Sequence, residues 1–164
     1  MRQEDLDVLR AMPVATPAMI INGKPVMAKT GATLNVVSPI DGTLLTKIPD
    51  ASEADVNVAI TSARRSFDSG VWSRTQPMLR KKIMLAWAEL IDKHAIELAV
   101  LGVRDNGTEI SMAYKAEPMS AANTIRYYAE AIDKIYGEVA PTDPSTLAMI
   151  LKEPIGVVGA IVPW

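Results

Sequence analysis

Hydrophobic positions along this chain change period twice, and the changes set strand-rich ends around a helical middle. Residues 3–12 can form a short amphipathic helix that Pro13 stops. Short apolar runs then flank Asn22-Gly23, a strong local signal for a hairpin with a type I′ turn. The pattern repeats around Asp41-Gly42, with Leu34, Val36 and Val37 before it and Leu44, Leu45 and Ile48 after. From Ser52 the spacing becomes helical. Ser52 reads as an N-cap, and Glu53 and Asp55 suit the positive end of the helix dipole. Val56, Ile60, Ala63 and Phe67 then fall on one stripe expected to be buried, and Gly70 closes the helix.

A second helix is expected from Pro77, with Leu79, Ile83, Ala86/Trp87 and Leu90 inward and Arg80, Lys81, Lys82 and Glu89 toward water. The third follows His94, turns Ile96, Ala99, Val100 and Val103 inward, and ends at Asn106-Gly107. A fourth is expected to open at Pro118, where a first helical turn tolerates proline, and to run through Ile125, Tyr128, Ile132 and Ile135 to Gly137. Residues 140–146 are a turn-rich link. Residues 147–156 read as an edge strand, since Pro154 suits no central ladder. Last comes the β-branched run 155–162, which reads as a strand buried on both faces. Strands, helices and strands in that order make an α/β chain.

Composition narrows the function classes. At 164 residues the chain is one domain's worth, and 49% hydrophobic with 22% charged residues is ordinary globular usage. The net charge of -2, with acids and bases interspersed, argues against a nucleic-acid footprint and against a polybasic membrane anchor. With no cysteine, the chain holds no disulfide, thiolate metal site or cysteine nucleophile of its own. Glu4, Asp5 and Asp7 stand where a signal peptide would be basic and then apolar, and the longest apolar run, 155–163, is too short to span a bilayer. A soluble cytoplasmic protein is expected, with neither nucleic acid nor membrane as partner.

Candidate chemistry is sparse. Gly156-Val157-Val158-Gly159 is neither a dinucleotide fingerprint nor a phosphate loop, and small residues where another element packs closely explain it better. His94 reads as a surface or capping residue with no serine to activate. Asp105-Asn106-Gly107 can hold a cation or end a helix, and the sequence favours the cap. Ser38-Pro39 and Asp143-Pro144 are turn chemistry, and Tyr127-Tyr128 beside Arg126 suit core or interface packing. From the residues alone no catalytic constellation emerges.

Five segments taken in order nevertheless resemble one family. "INGKPV", "VVSPIDGTLLTKIPDASEADVNVAITSARRSFDSGVWS", "RKKIMLAWAELIDKHAIELAVLGVRDNG", "IRYYAEAIDKIYGEV" and "KEPIGVVGAIVPW" look like the opening of an aldehyde dehydrogenase, from about Met19 to the last residue. The stretch from Arg126 to Thr142 is most similar to members that oxidise γ-glutamyl-γ-aminobutyraldehyde and related amino aldehydes.

The resemblance implies the N-terminal portion of the aldehyde dehydrogenase fold: β-hairpins, a helical layer and the first strand of an incomplete Rossmann-like sheet. Residues 1–140 would be the N-terminal part of the cofactor-binding domain, 141–155 an oligomerisation hairpin, and 156–164 the first strand of the dinucleotide-binding sheet. The implied activity is NAD- or NADP-dependent oxidation of an aldehyde to a carboxylate, through a thiohemiacetal on a cysteine and hydrolysis by a glutamate-activated water. By the resemblance Ile161, Val162, Pro163 and Trp164 line the cofactor cleft. The carbonyls of Val36 and Val37, with Asp105, would hold a structural monovalent cation, for which oxygen ligands are suited. One departure touches that loop: Gly107-Thr108-Glu109 stands where the family usually has Gly-Lys-Pro.

No catalytic residue of the family falls within this chain. The oxyanion-stabilising asparagine would follow Trp164, and the cysteine, the glutamate and the glycine-rich turn lie further on. The chain is thus expected to be inactive alone and to form homo-oligomers through strand 147–153, an edge open to pairing. The second reading is a non-catalytic oligomerisation or interaction module.

Overall fold

A computed structural model describes residues 2–162. Helix α1 (Gln3–Ala11) precedes two hairpins, β1–β2 (Met19–Ile21, Lys24–Val26) and β3–β4 (Thr33–Val37, Leu44–Pro49). Asn22 and Gly23 both take positive φ, 54° and 70°, so the first turn is the expected type I′. The second turn is longer than a two-residue loop. Ser38 and Thr43 close it, the Ser38 amide donating to the Thr43 carbonyl at 2.8 Å and the Gly42 amide to the Ser38 carbonyl at 2.9 Å.

Helix α2 (Glu53–Ser69) begins and ends where the sequence indicates, between Ser52 and Gly70. A reciprocal capping box fixes its start. The Asp55 carboxylate accepts from the Ser52 amide at 3.0 Å and the Ser52 hydroxyl at 2.6 Å, while Ser52 Oγ accepts from the Asp55 amide at 3.4 Å. Asp55 is buried and also accepts from the Lys29 amide at 3.2 Å, tying the segment after β2 to the head of α2. The Ser52 hydroxyl and then its amide hold this carboxyl below the usual carboxylate range.

Helices α3 (Pro77–Lys93) and α4 (Ala95–Asn106) meet at His94, which ends one and caps the other, with its Nδ1 2.9 Å from Glu97. Gly107, at φ 78°, terminates α4 through its amide to the Val103 carbonyl. Pro118 differs from expectation. It sits inside one continuous helical run made of α5 (Ile110–Tyr114), a π turn (Lys115–Met119) and α6 (Ser120–Ala131). Proline lacks the amide and its ring collides with the carbonyl four residues back; the wider π turn accommodates both. The run stops at Ala131, short of Ile135, which is exposed.

The central helices pack through small residues. Ala88 of α3, Ala99 of α4, Ala113 of α5 and Ala122 and Ala129 of α6 are all fully covered, and no large side chain among the described residues is. The face of α3 expected inside lies outside: Leu79, Ile83, Trp87 and Leu90 are 50%, 48%, 57% and 55% exposed. Its other side, around Ala88, meets α6. Lys81, expected in water, is largely covered there and reaches Glu130 at 2.7 Å and Asp133 at 3.7 Å, which raise its pKa. On α2 likewise, Val56, Ile60 and Ala63 are exposed and Phe67 half-buried. An apolar stripe suits a face that another element covers, and among the described residues no helix or strand covers these faces of α2 and α3.

A third antiparallel pair, β5 (Glu138–Ala140) with β6 (Ala148–Ile150), follows the helices in the chain; the periodicity gave no sign of β5. Residues 151–162, expected to be edge and then buried strand, form neither among the described residues. A strand exists by virtue of its ladder, and no described strand lies alongside to complete one.

Candidate functional site

Of the residues assigned to the cofactor cleft, Ile161 and Val162 are exposed, and Pro163 and Trp164 lie outside the described residues. Upstream, Pro154, Gly156, Val157 and Val158 lie against the end of α2, lining with Ala63, Ser66, Phe67 and Trp72 a pocket of about 400 Å³. The close packing expected at the two glycines is not found: a Cβ at Gly159 would meet nothing within 4 Å and one at Gly156 only Arg64 Nη1 at 3.7 Å. Gly156 takes φ 118°, a backbone conformation that suits glycine. Residues 156–162 carry no charge. They fit one aliphatic wall of a nucleotide cleft and supply no side chain for a pyrophosphate.

The cation candidates come together in part. Val36 and Asp105 line one pocket of about 300 Å³ between the β3–β4 hairpin and the end of α4, with Leu45, Thr46, Leu101 and Arg104. Val37 is the next residue of β3. Register shifts between these valines, since Val36 faces Thr46 and Val37 faces Leu44, so Leu45 is an extra residue. Such a bulge leaves Leu45 of β4 without a partner and interrupts the ladder beside Val36 and Val37. The donor set, two carbonyls and a carboxylate, fits a hard monovalent cation. Arg104 brings positive charge to the same pocket, but its Nη1 donates to the Met12 carbonyl at 2.6 Å. Among the described residues no three His, Cys, Asp or Glu side chains cluster to hold a metal.

The Asp105-Asn106-Gly107 loop is a built helix end. Asn106 Oδ1 accepts from the Thr108 amide at 2.8 Å, and its Nδ2 donates to Glu117 at 3.1 Å. Threonine and glutamate where the family usually has lysine and proline leave this termination intact.

A recess that the sequence did not reveal opens along the π turn and α6. Lys115, Ser120, Asn123, Thr124, Tyr127 and Tyr128 line about 650 Å³. Both tyrosines are exposed and sit edge to face, 5.3 Å between centroids, so they are no part of this chain's core. The signal was present in three polar residues one helical turn apart, Ser120, Asn123 and Thr124. Arg126 instead pairs with Asp92 of α3.

Fold and sequence both have counterparts. The aldehyde dehydrogenase family profile matches residues 26–164. Over 146 residues the chain is 42% identical to the NADP/NAD-dependent aldehyde dehydrogenase PuuC of Escherichia coli, covering 89% of this chain and 30% of that protein. It is 41% identical over 134 residues to an aminoacetaldehyde dehydrogenase of Pseudomonas aeruginosa, covering 82% and 27%. Among solved structures, the indole-3-acetaldehyde dehydrogenase AldA of P. syringae, as a C302A mutant with NAD+ and IAA, superposes with TM-score 0.89 at 36% identity, over 95% of this chain and 32% of that one. A γ-glutamyl-γ-aminobutyraldehyde dehydrogenase of Burkholderia cenocepacia gives TM-score 0.83 at 40% identity, over 87% and 29%. The chain belongs to the aldehyde dehydrogenase family, and it spans about 30% of the length of the curated relatives it matches. No helix among the described residues is long and apolar enough to cross a membrane.

Proposed function

We propose that this chain is the N-terminal part of an NAD(P)-dependent aldehyde dehydrogenase that oxidises an amino aldehyde to its carboxylate. The observation that carries the reading is the match over 26–164, with an aminoacetaldehyde dehydrogenase and a γ-glutamyl-γ-aminobutyraldehyde dehydrogenase among the relatives at 40–41% identity. NAD(P), when bound, accepts the hydride. Within this chain, Ile161 and Val162, continued by Pro163 and Trp164, provide an apolar wall of the cofactor cleft. Val36, Val37 and Asp105 hold a monovalent cation that pins the β3–β4 hairpin to the end of α4. Because the chain has no cysteine, the thiolate must come from polypeptide outside residues 1–164, and the chain alone is inactive.

In this reading 1–140 belongs to the cofactor-binding domain, 141–155 is the oligomerisation hairpin and 156–164 the first sheet strand. Leu147, Met149 and Leu151, all exposed, support homo-oligomerisation through the hairpin edge. They also favour the second reading, a non-catalytic interaction module. A cytoplasmic setting is part of the proposal.

A chimaera decides between the two. This chain replaces the matching segment of the E. coli relative, and reduction of NAD+ and NADP+ is followed with an amino aldehyde. Turnover above that of the isolated chain is expected. A folded chimaera with no turnover overturns the enzymatic reading.

A further inference from the structure

The pocket between the β3–β4 hairpin and the end of α4 has a third wall. Residues 12–18 join α1 to β1, and their Val14 and Pro17 line the pocket beside Val36 and Asp105. This strap is fastened twice. Arg104 Nη1 donates to the Met12 carbonyl at 2.6 Å, and the Thr46 hydroxyl donates to the Ala15 carbonyl at 3.3 Å. Upstream, α1 lies on α4, where Leu6 shares a second cleft of about 290 Å³ with Val100 and Val103. The strap therefore bridges α4 and β4, the two elements that the cation is proposed to pin together.

Charge makes this pocket ambivalent. Of the described residues that line it, Arg104 and Asp105 carry charge, one of each sign, so it is neutral before any ion enters. A cation on Asp105 would share the space with a guanidinium, and two like charges at close range repel. Arg104 is also a strong competitor for the carboxylate, because its planar fork can hold both oxygens at once. In the folded chain it bonds the strap instead. We propose that the bond from Arg104 to Met12 is a latch on cation binding. While the strap is seated, Arg104 is parked on the Met12 carbonyl and Asp105 is left to a monovalent cation. When the strap lifts, Arg104 turns onto Asp105 and the cation leaves. Arg104 is thus a positioning residue, and the N-terminal strap controls occupancy. The inference rests on the cation reading of Val36, Val37 and Asp105, and on neither the aldehyde nor turnover.

The test reads occupancy. The thermal midpoint of the whole chain is followed as potassium replaces choline at constant ionic strength, and thallium NMR, with Tl+ in place of potassium, reports the bound ion directly. The parent's midpoint rises with potassium, as for any ligand that binds the folded state. Arg104→Leu removes the competing charge and lowers the half-saturating concentration at least about threefold. Removing residues 1–13 takes away the Met12 carbonyl and raises it at least about threefold. The two changes together behave as Arg104→Leu alone, because without the guanidinium the strap has nothing to restrain. That non-additivity separates a latch from a prop, since a strap that only shapes the pocket weakens binding in both backgrounds.

Leu6→Ser in the intact chain is a milder release, loosening α1 from α4 without shortening the chain, and shifts the half-saturating concentration in the same direction as the truncation. The latch is overturned, with the cation site left standing, if Arg104→Leu takes up potassium like the parent. It is overturned equally if the truncation or Leu6→Ser weakens binding as much without Arg104 as with it. If neither midpoint nor thallium signal responds in any variant, the cation reading itself fails and the latch with it. The aldehyde dehydrogenase reading survives each of these results.

Discussion

Replacing Ala88 by leucine and Ile83 by lysine sets the two faces of α3 against each other. By hydrophobicity Ile83 looks like the core position and Ala88 like filler. The structure reverses the ranking: Ala88 is 0% exposed against α6, which presents Ala122 and Ala129, both equally covered. Leucine there adds three carbons where no space exists, a change that costs about 1–3 kcal/mol by forcing apart a close helix contact. With the Lys81–Glu130 and Arg126–Asp92 pairs also spanning α3 and α6, little slack is available, and the upper end, about 3 kcal/mol, is expected. Ile83 is 48% exposed, lysine can lay its stem along the same surface, and its helix propensity is the better of the two. Ile83→Lys should therefore stay within about 1 kcal/mol of the parent. Urea unfolding of the isolated chain, followed by circular dichroism, reads both. For a slope near 2 kcal/mol/M, Ala88→Leu lowers the midpoint by about 1.5 M and Ile83→Lys by about 0.5 M or less. If Ile83→Lys proves the more damaging, the helix has been assigned the wrong inner face.

Three further outcomes follow from local geometry. Ser52→Ala removes the hydroxyl half of the capping box and should cost about 1 kcal/mol in the same urea assay; no loss would mean the box contributes nothing. Asp55 has its pKa lowered on folding, so its stabilisation is complete above the ordinary carboxylate range and is lost as pH falls through the lower, folded value. Thermal midpoints recorded from neutral to acid pH should fall less steeply for Asp55→Asn than for the parent, and identical slopes would contradict the assignment. Gly23 sits at φ 70° with open space where a Cβ would go, so Gly23→Ala tests backbone strain alone. About 1–2 kcal/mol is expected, and a neutral result would argue against the type I′ turn.

Features decided within a few residues were legible in the sequence. Asn22-Gly23, the Ser52 cap, the stop at Gly70 and the Asn106-Gly107 ending are local hydrogen-bond and φ requirements, and each stands where the residues indicate. What failed depended on distant partners. Helix α3 is apolar on several sides, so periodicity found a stripe without revealing that covered alanines, not leucines, meet α6. Pro118 carries the same residue signal at a helix start as inside a π turn, and only the preceding helix distinguishes them. The run 155–162 has strand composition, but strand formation needs neighbours that composition cannot supply. In the candidate site, Val36 and Asp105 line one pocket, whereas the recess beside Tyr127 and Tyr128 went unread because exposed tyrosines and packed ones look alike in sequence.

The central claim, that this chain is the N-terminal part of a longer aldehyde dehydrogenase, is tested most directly through Trp87. With Trp72, Trp164 and every tryptophan contributed by the E. coli portion of the chimaera replaced by phenylalanine, Trp87 is the single indole, and acrylamide quenching reports its contact with solvent. In the isolated chain, where Trp87 is 57% exposed, quenching should be strong. In the chimaera it should fall several-fold, with the emission maximum moving to the blue. Equal quenching in chain and chimaera would contradict the account.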